Sequence, residues 1–161
     1  MTWRSQIEEL YRKHGAELVL FATSFTNDRF GAQDAVQQVF LNMLDRQQLV
    51  VAEPRAYLYR AVRNTVLNAI KLSGRQTELP EDPWFFAPSA QPERELTLRS
   101  ALRELPQEQR ELVVMHVWGG LTCAEIAHVA DISVNTATSR YRYALANLRE
   151  FMTRKTHVRT G

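Results

Sequence analysis

With 161 residues, 45% of them apolar, and a net charge of +2 at pH 7, the chain has room for one or two small domains with compact cores. The longest apolar runs, at Leu18–Ala22 and Leu112–Val117, fall far short of the roughly 18 residues that cross a bilayer, so membrane insertion is not expected. The N-terminus (Trp3, Arg4, Gln6, Glu8) has no signal-peptide core, and the one cysteine, Cys123, cannot form an internal disulfide; both suit a reducing, cytoplasmic setting.

The predicted elements are all helices, and no strand alternation competes with them. Ile7, Leu10, Tyr11, His14, Leu18, Phe21, Ala22 and Phe25 recur at three- and four-residue spacing and predict one apolar stripe on a first long helix. Ala32, Ala35, Val36, Val39, Phe40, Met43 and Leu44 predict a second, whose opposite side shows Asp34, Gln37, Gln38, Asn42 and Asp45. After a break at Gln47–Glu53, Pro54 takes the first position of a third helix, where proline is favoured. Leu58, Ala61, Val62, Thr65 and Ala69 are expected to face inward there.

That third helix has a second face. Tyr57, Arg60, Asn64 and Lys71 share one side, and Tyr59 and Arg63 flank it. Rings stack on unpaired bases while cations follow phosphates, so the face suits single-stranded nucleic acid. A solvated face with two tyrosines closing the core edge fits the same pattern.

Residues Ser73–Glu95 contain Gly74, Pro80, Pro83, Pro88 and Pro92, with acids in excess of bases. That proline density forbids a continuous helix and predicts a linker between two helical bodies. Within it, Trp84, Phe85 and Phe86 either dock on one of the bodies or anchor a partner.

Leu105–Met152 predicts an apolar helix, a Gly-Gly stop, a short capped helix, a tight turn and a long basic helix. Thr122 and Glu125 have capping-box spacing; Asp131 turns the chain, Ile132 plugs the corner and Ser133 caps the next helix. Helices joined in this way leave the outer face of the second free to enter a DNA major groove. From Ser133 onward, Arg140, Arg142, Arg149, Arg154, Lys155 and Arg159 stand against Glu150 alone, a local net charge of +5. Ala137, Tyr141, Ala144, Leu145 and Leu148 form the buried stripe of this helix; Asn135, Thr136, Thr138, Ser139, Arg140, Arg142 and Tyr143 lie on or near the other side. Short hydroxyl and amide groups meet base edges, and arginines clamp phosphate or read guanine. An ordinary solvated helix is the alternative.

No catalytic or metal-binding set emerges. His14, His116, His128 and His157 are scattered without ligand spacing, and His14 and His116 read as satisfied core residues. Cys123 reads as a small half-buried side chain, or as a thiol activated by a helix start. No cofactor and no small-molecule substrate are expected.

Taken together, the motifs resemble those of bacterial sigma factors of the extracytoplasmic-function group, over nearly the whole chain. DAVQQVF at Asp34–Phe40, within LYRKHGAELVLFATSFTNDRFGAQDAVQQVFLNML, is similar to the two core helices of the first sigma domain. PRAYLYRAVRN at Pro54–Asn64 looks like the promoter-melting helix. LPQEQRELVVMHVWGGLTCAEIA and ISVNTATSRYRYALANLR look like the C-terminal helix-turn-helix. The resemblance implies an all-α fold of two small helical domains, residues 1–73 and 94–161, joined by a flexible acidic linker at 74–93; the second is a winged-helix-like helix-turn-helix of the sigma region 4 type.

The resemblance further implies that Asp34, Gln37, Gln38 and Asn42 dock on the clamp helices of the largest subunit of core RNA polymerase. The loop Asp45–Glu53 would hold a base extruded at the minus-ten element, and Tyr57, Tyr59, Arg60, Arg63, Asn64 and Lys71 would keep the strands apart. Asn135, Thr136, Thr138, Ser139, Arg140, Arg142 and Tyr143 would read the minus-thirty-five element as duplex, and the linker would run toward the polymerase channel. Promoter DNA and an anti-sigma factor are the further partners implied, and RNA synthesis belongs to the polymerase. The sequence departs from the family at Gln38 (often acidic), Tyr57 (usually Trp), Asn68 (often Asp), Asp131 (usually Gly), Thr138 (commonly Lys) and Ala137 (Val). Two other classes fit parts of the pattern: a stand-alone helix-turn-helix regulator with an N-terminal dimerisation or sensing bundle, and a purely protein-binding helical module.

Overall fold

The computed structural model describes residues 2–26, 28–46, 53–73 and 100–160, with side chains to residue 154. The loop expected at Asp45–Glu53 beyond residue 46, and the linker with Trp84, Phe85 and Phe86, lie outside the described residues. All regular structure among the described residues is helical.

The first helix, α1 (Trp3–Thr23), starts where the Thr2 hydroxyl accepts from the Ser5 N–H at 3.1 Å. Helix α2 (Arg29–Arg46) starts where the Asp28 carboxylate accepts from the Gly31 N–H at 2.9 Å. Helix α3 (Pro54–Ser73) begins on its proline. The three bury Leu18, Phe21, Phe25, Val36, Val39, Leu58 and Val62 against one another. Each such side chain contributes about 1.5–3 kcal/mol on leaving water. Phe21 meets Phe25 and Tyr59 edge-on, with ring centroids 5.1 and 4.9 Å apart. The indole N–H of Trp3 donates to the Met43 carbonyl at 3.1 Å, tying the start of α1 to the end of α2.

The second half consists of a helical segment at residues 100–104 (α4), then α5 (Gln107–Val117), α6 (Cys123–Ala130) and α7 (Val134–Thr160). Ala101, Leu102, Leu105, Val113, Ala144 and Leu148 form a local core. The buried Arg110 guanidinium donates to the carbonyls of Leu102 (3.0 Å), Leu105 (2.8 Å) and Ser24 (3.2 Å). The last of these lies at the end of α1, in the other half.

The halves share a core. Leu112, Val114, Met115, Leu121, Ile126, Ala127, Val129 and Ala137 belong to the same apolar cluster as the α1–α3 residues. Helix α6 packs on α3 and α5 touches α1.

This packing corrects several expected orientations. Helix α3 buries Ala56, Tyr59 and Val66 beside Leu58 and Val62, while Ala69 is exposed, because α3 is covered by α6 as well as by α1 and α2. Tyr11 is 48% exposed, resting its ring edge on Phe40 at the rim of the stripe. His116 lies on the surface rather than in the core, with Nδ1 at 2.9 Å from the Leu121 carbonyl and its ring against Tyr141. His14 is half-buried and paired with Glu17 at 2.6 Å.

Candidate nucleic-acid interface

The rear corner is built from caps. Thr122 accepts from the Glu125 N–H at 3.1 Å, and the Glu125 carboxylate accepts from the Thr122 N–H at 3.0 Å. Two N–H groups that the helix start would leave unpaired are thereby satisfied. Asp131 ends α6 in the left-handed region (φ 57°, ψ 50°), and Ile132 turns back to donate its N–H to the Ala127 carbonyl at 3.0 Å. The Ser133 hydroxyl then accepts from the Thr136 N–H at 3.0 Å, starting α7. For a residue with a Cβ the left-handed conformation costs about 1–2 kcal/mol. Part of that is offset because glycine would have more freedom to lose on folding. Asp131→Gly is therefore expected to stabilise the fold by about 0.5–1 kcal/mol, read as a small rise in thermal midpoint; an unchanged or lower midpoint would show that the aspartate is unstrained.

Helix α7 buries Ala137, Ala144 and Leu148 and half-buries Tyr141 and Leu145. Asn135, Ser139, Arg142 and Tyr143 are exposed, Tyr143 by 66%, and Thr136, Thr138 and Arg140 are half-buried at the margins. Arg140 reaches Glu108 of α5 at 3.7 Å. Helix α7 thus has one side seated on the protein and a polar, cationic side facing water, the arrangement required of a helix that enters a groove.

On α2, Asp34, Gln37, Gln38 and Asn42 are all exposed, and the Gln38 amide donates to Asn42 Oδ1 at 2.9 Å. This is a polar face with low charge.

The face of α3 is engaged instead. Asn64 and Lys71 are exposed, and Tyr57 is half-buried, its hydroxyl 3.2 Å from an Arg46 guanidinium nitrogen. Tyr59 is fully buried, which corrects the expectation that it lies on an open nucleic-acid face. Its hydroxyl finds no hydrogen-bond partner among the described residues, and a Cβ built at Gly119 would lie 2.7 Å from it. Only glycine lets the α5–α6 turn approach that closely. Burial, reinforced by the charge of Glu17, pushes the Tyr59 hydroxyl above the ordinary phenol range. Arg60 lies 3.2 Å from Nε2 of His128, and Arg55 donates to the Gly119 carbonyl at 2.9 Å. Arg63 donates from Nε and Nη2 to the two oxygens of Glu111 at 3.3 and 3.2 Å. Glu111 is only 2% exposed, and burial pushes its carboxyl up while the charge and hydrogen bonds of Arg63 pull it back.

The sequence reading missed Glu111, His128 and Arg110. Glu111 carried a faint signal, as an acid heading the apolar run Leu112–Met115; its pairing with Arg63, 48 residues away, had none. Among the described residues no group of His, Cys, Asp and Glu is placed to hold a metal ion, and no helix is long and apolar enough to cross a membrane.

Residues 10–76 match the family model Sigma-70 region 2, and residues 95–148 match Sigma-70, region 4. The RNA polymerase sigma-E factor of Streptomyces coelicolor is 32% identical over 151 residues, covering 90% of this chain and 85% of its own. The ECF RNA polymerase sigma factor SigL of Mycobacterium tuberculosis is 29% identical over 151 residues, covering 87% and 85%. Among solved structures, the sigma factor RpoE of Bartonella quintana, in complex with the anti-sigma factor NepR, superposes with a TM-score of 0.69 at 20% identity, covering 91% of this chain and 95% of that one. CnrH, in complex with the cytosolic domain of CnrY, superposes with a TM-score of 0.66 at 22% identity, covering 93% and 89%. At these identities the structural likeness bears on the fold alone.

Proposed function

From the premise that the chain belongs to the extracytoplasmic-function group of sigma-70 factors and is a transcription-initiation factor, we propose that it performs no catalysis itself and that its three polar faces divide the work. Asp34, Gln37, Gln38 and Asn42 on α2 dock on the clamp helices of core RNA polymerase. Asn135, Thr136, Thr138, Ser139, Arg140, Arg142 and Tyr143 read the minus-thirty-five element as duplex. Tyr57, Arg60, Arg63, Asn64 and Lys71 hold the minus-ten strands apart. The functional units are residues 1–73 and 94–161, with 74–93 as the linker, and the chain works in the cytoplasm. Because RpoE and CnrH are each seen with a protein partner, an anti-sigma factor is proposed for this chain as well.

The observation that carries this reading is the exposed Asn135–Tyr143 side of a helix held at its start by a capped corner. An isolated regulator would bind a symmetric duplex site tightly without polymerase. Run-off transcription with purified core polymerase on a library of genomic promoters separates the two, because this chain is expected to direct initiation only as holoenzyme.

Replacing Tyr57 and Asn64 together by Ala is expected to slow strand opening by about tenfold, since base stacking on an aromatic side chain contributes about 1–3 kcal/mol. Permanganate reactivity of unpaired thymines checks this. Equal losses in opening and in duplex recognition would remove the strand-opening role from α3.

A further inference from the structure

We propose that Val134, the first residue of α7, is a base-reading residue, and that with Asn135 it directs the helix to neighbouring A·T pairs of the minus-thirty-five element. The proposal rests on the reading of α7 as the duplex-binding helix. Its ground is which side chains of the leading turn are free. The Ser133 hydroxyl donates to Thr136 Oγ1 at 2.8 Å while accepting from the Thr136 N–H at 3.0 Å, so both hydroxyl groups are held in the cap. Ala137 is buried, and one turn on Arg140 is drawn toward Glu108. That leaves Val134, 49% exposed, and Asn135, exposed and bonded through its amide to no other group among the described residues.

Position makes the valine informative. A lone exposed valine is ordinary on a surface. This one adds little to the helix, because β-branched residues are poorer helix formers than alanine. It stands, however, at the end of α7 that enters the groove, where side chains meet base edges. Thymine alone presents a methyl group there, and an apolar side chain gains by covering it. The Asn135 amide can donate to N7 of adenine and accept from its N6 group at once.

Guanine shows two acceptors in the major groove and is matched by arginine or lysine. The first turn, Val134–Ala137, carries no cation. Arg142, two turns further along, is exposed. A·T pairs are therefore expected opposite the first turn, and guanine opposite Arg142.

The test uses holoenzyme reconstituted from core polymerase and the full-length chain, on a barcoded promoter library randomised through the minus-thirty-five region. Counting the transcripts by sequencing gives the base preference at each position. The wild-type chain is expected to select adenine and thymine at adjoining positions. Deoxyuridine in place of the selected thymine removes the methyl group alone, and should lower wild-type initiation about three- to fivefold. Val134→Ala should lose most of the thymine preference and become indifferent to deoxyuridine. Asn135→Ala should lose an adenine preference of about tenfold. The minus-ten preference should stay unchanged in both variants.

Deoxyuridine that costs the wild-type chain nothing, or costs Val134→Ala as much, overturns the role of Val134. A preference for G·C at the position that Asn135→Ala alters overturns the assignment of that pair. A preference that shifts with Arg142→Ala but with neither Val134→Ala nor Asn135→Ala overturns the proposal and leaves α7 as the duplex reader. No preference anywhere in the randomised region, or one that all three variants leave intact, overturns the premise instead.

Discussion

Arg110→Ala is expected to lose about 3–4 kcal/mol of folding stability. Arg110 is 9% exposed, and its guanidinium donates to the carbonyls of Leu102, Leu105 and Ser24, with Gln107 Oε1 at 3.4 Å. Alanine takes the guanidinium donor from all three carbonyls, leaving the Leu102 carbonyl only its 3.2 Å bond from the Leu105 N–H, and each buried group left unpaired costs about 1–3 kcal/mol. The net loss is smaller than the sum, because a cavity of that size admits some water and burial already pulls the guanidinium below its usual pKa. Lysine is expected to rescue little, since a point charge cannot reproduce a planar fork aimed in several directions. Equilibrium urea unfolding checks this: the midpoint should fall sharply for both variants, and a lysine variant equal to wild type would mean that charge alone is needed.

The second large effect is functional. Arg140→Ala combined with Arg142→Ala is expected to reduce initiation from promoters with an intact minus-thirty-five element by about 100-fold, taking about 1–3 kcal/mol per arginine–DNA contact. Binding to core polymerase should be unchanged, because α7 and the α2 face are on separate elements. The two arginines are not equivalent. Arg142 is exposed, whereas Arg140 is held 3.7 Å from Glu108 and must exchange that partner for DNA. Arg142→Ala should therefore account for the larger share. A titration of core polymerase against both single variants and the double variant, read by transcription and by fluorescence binding, decides it. Lost polymerase binding would mean that these residues support the fold.

Much of the architecture was legible in the sequence because it depends on local chemistry. The capping box at Thr122 and Glu125, the turn at Asp131, the Ser133 cap and the proline start of α3 are all short-range features, and all are present. The α2 stripe is buried as expected from Ala32 to Met43. The orientation of α3 was not legible. Its apolar stripe shows which side meets α1 and α2, but a helix covered on two sides buries residues that a one-sided stripe does not name. Tyr59 is such a residue: a ring with a hydroxyl reads equally as a stacking platform or as core. The pairings of Arg60 with His128 and Arg63 with Glu111 span 68 and 48 residues, and nothing local in the sequence specifies them.

The eight residues of α6 pack against both α3 and α7 and also touch α5. The bonds that set the angle of α7, from Thr122 through Ile132 to Ser133, all join residues between Thr122 and Thr136, and none involves α3. The tilt of α7 is therefore fixed by bonds between neighbouring residues of the second half, and it does not depend on what α6 packs against across α3.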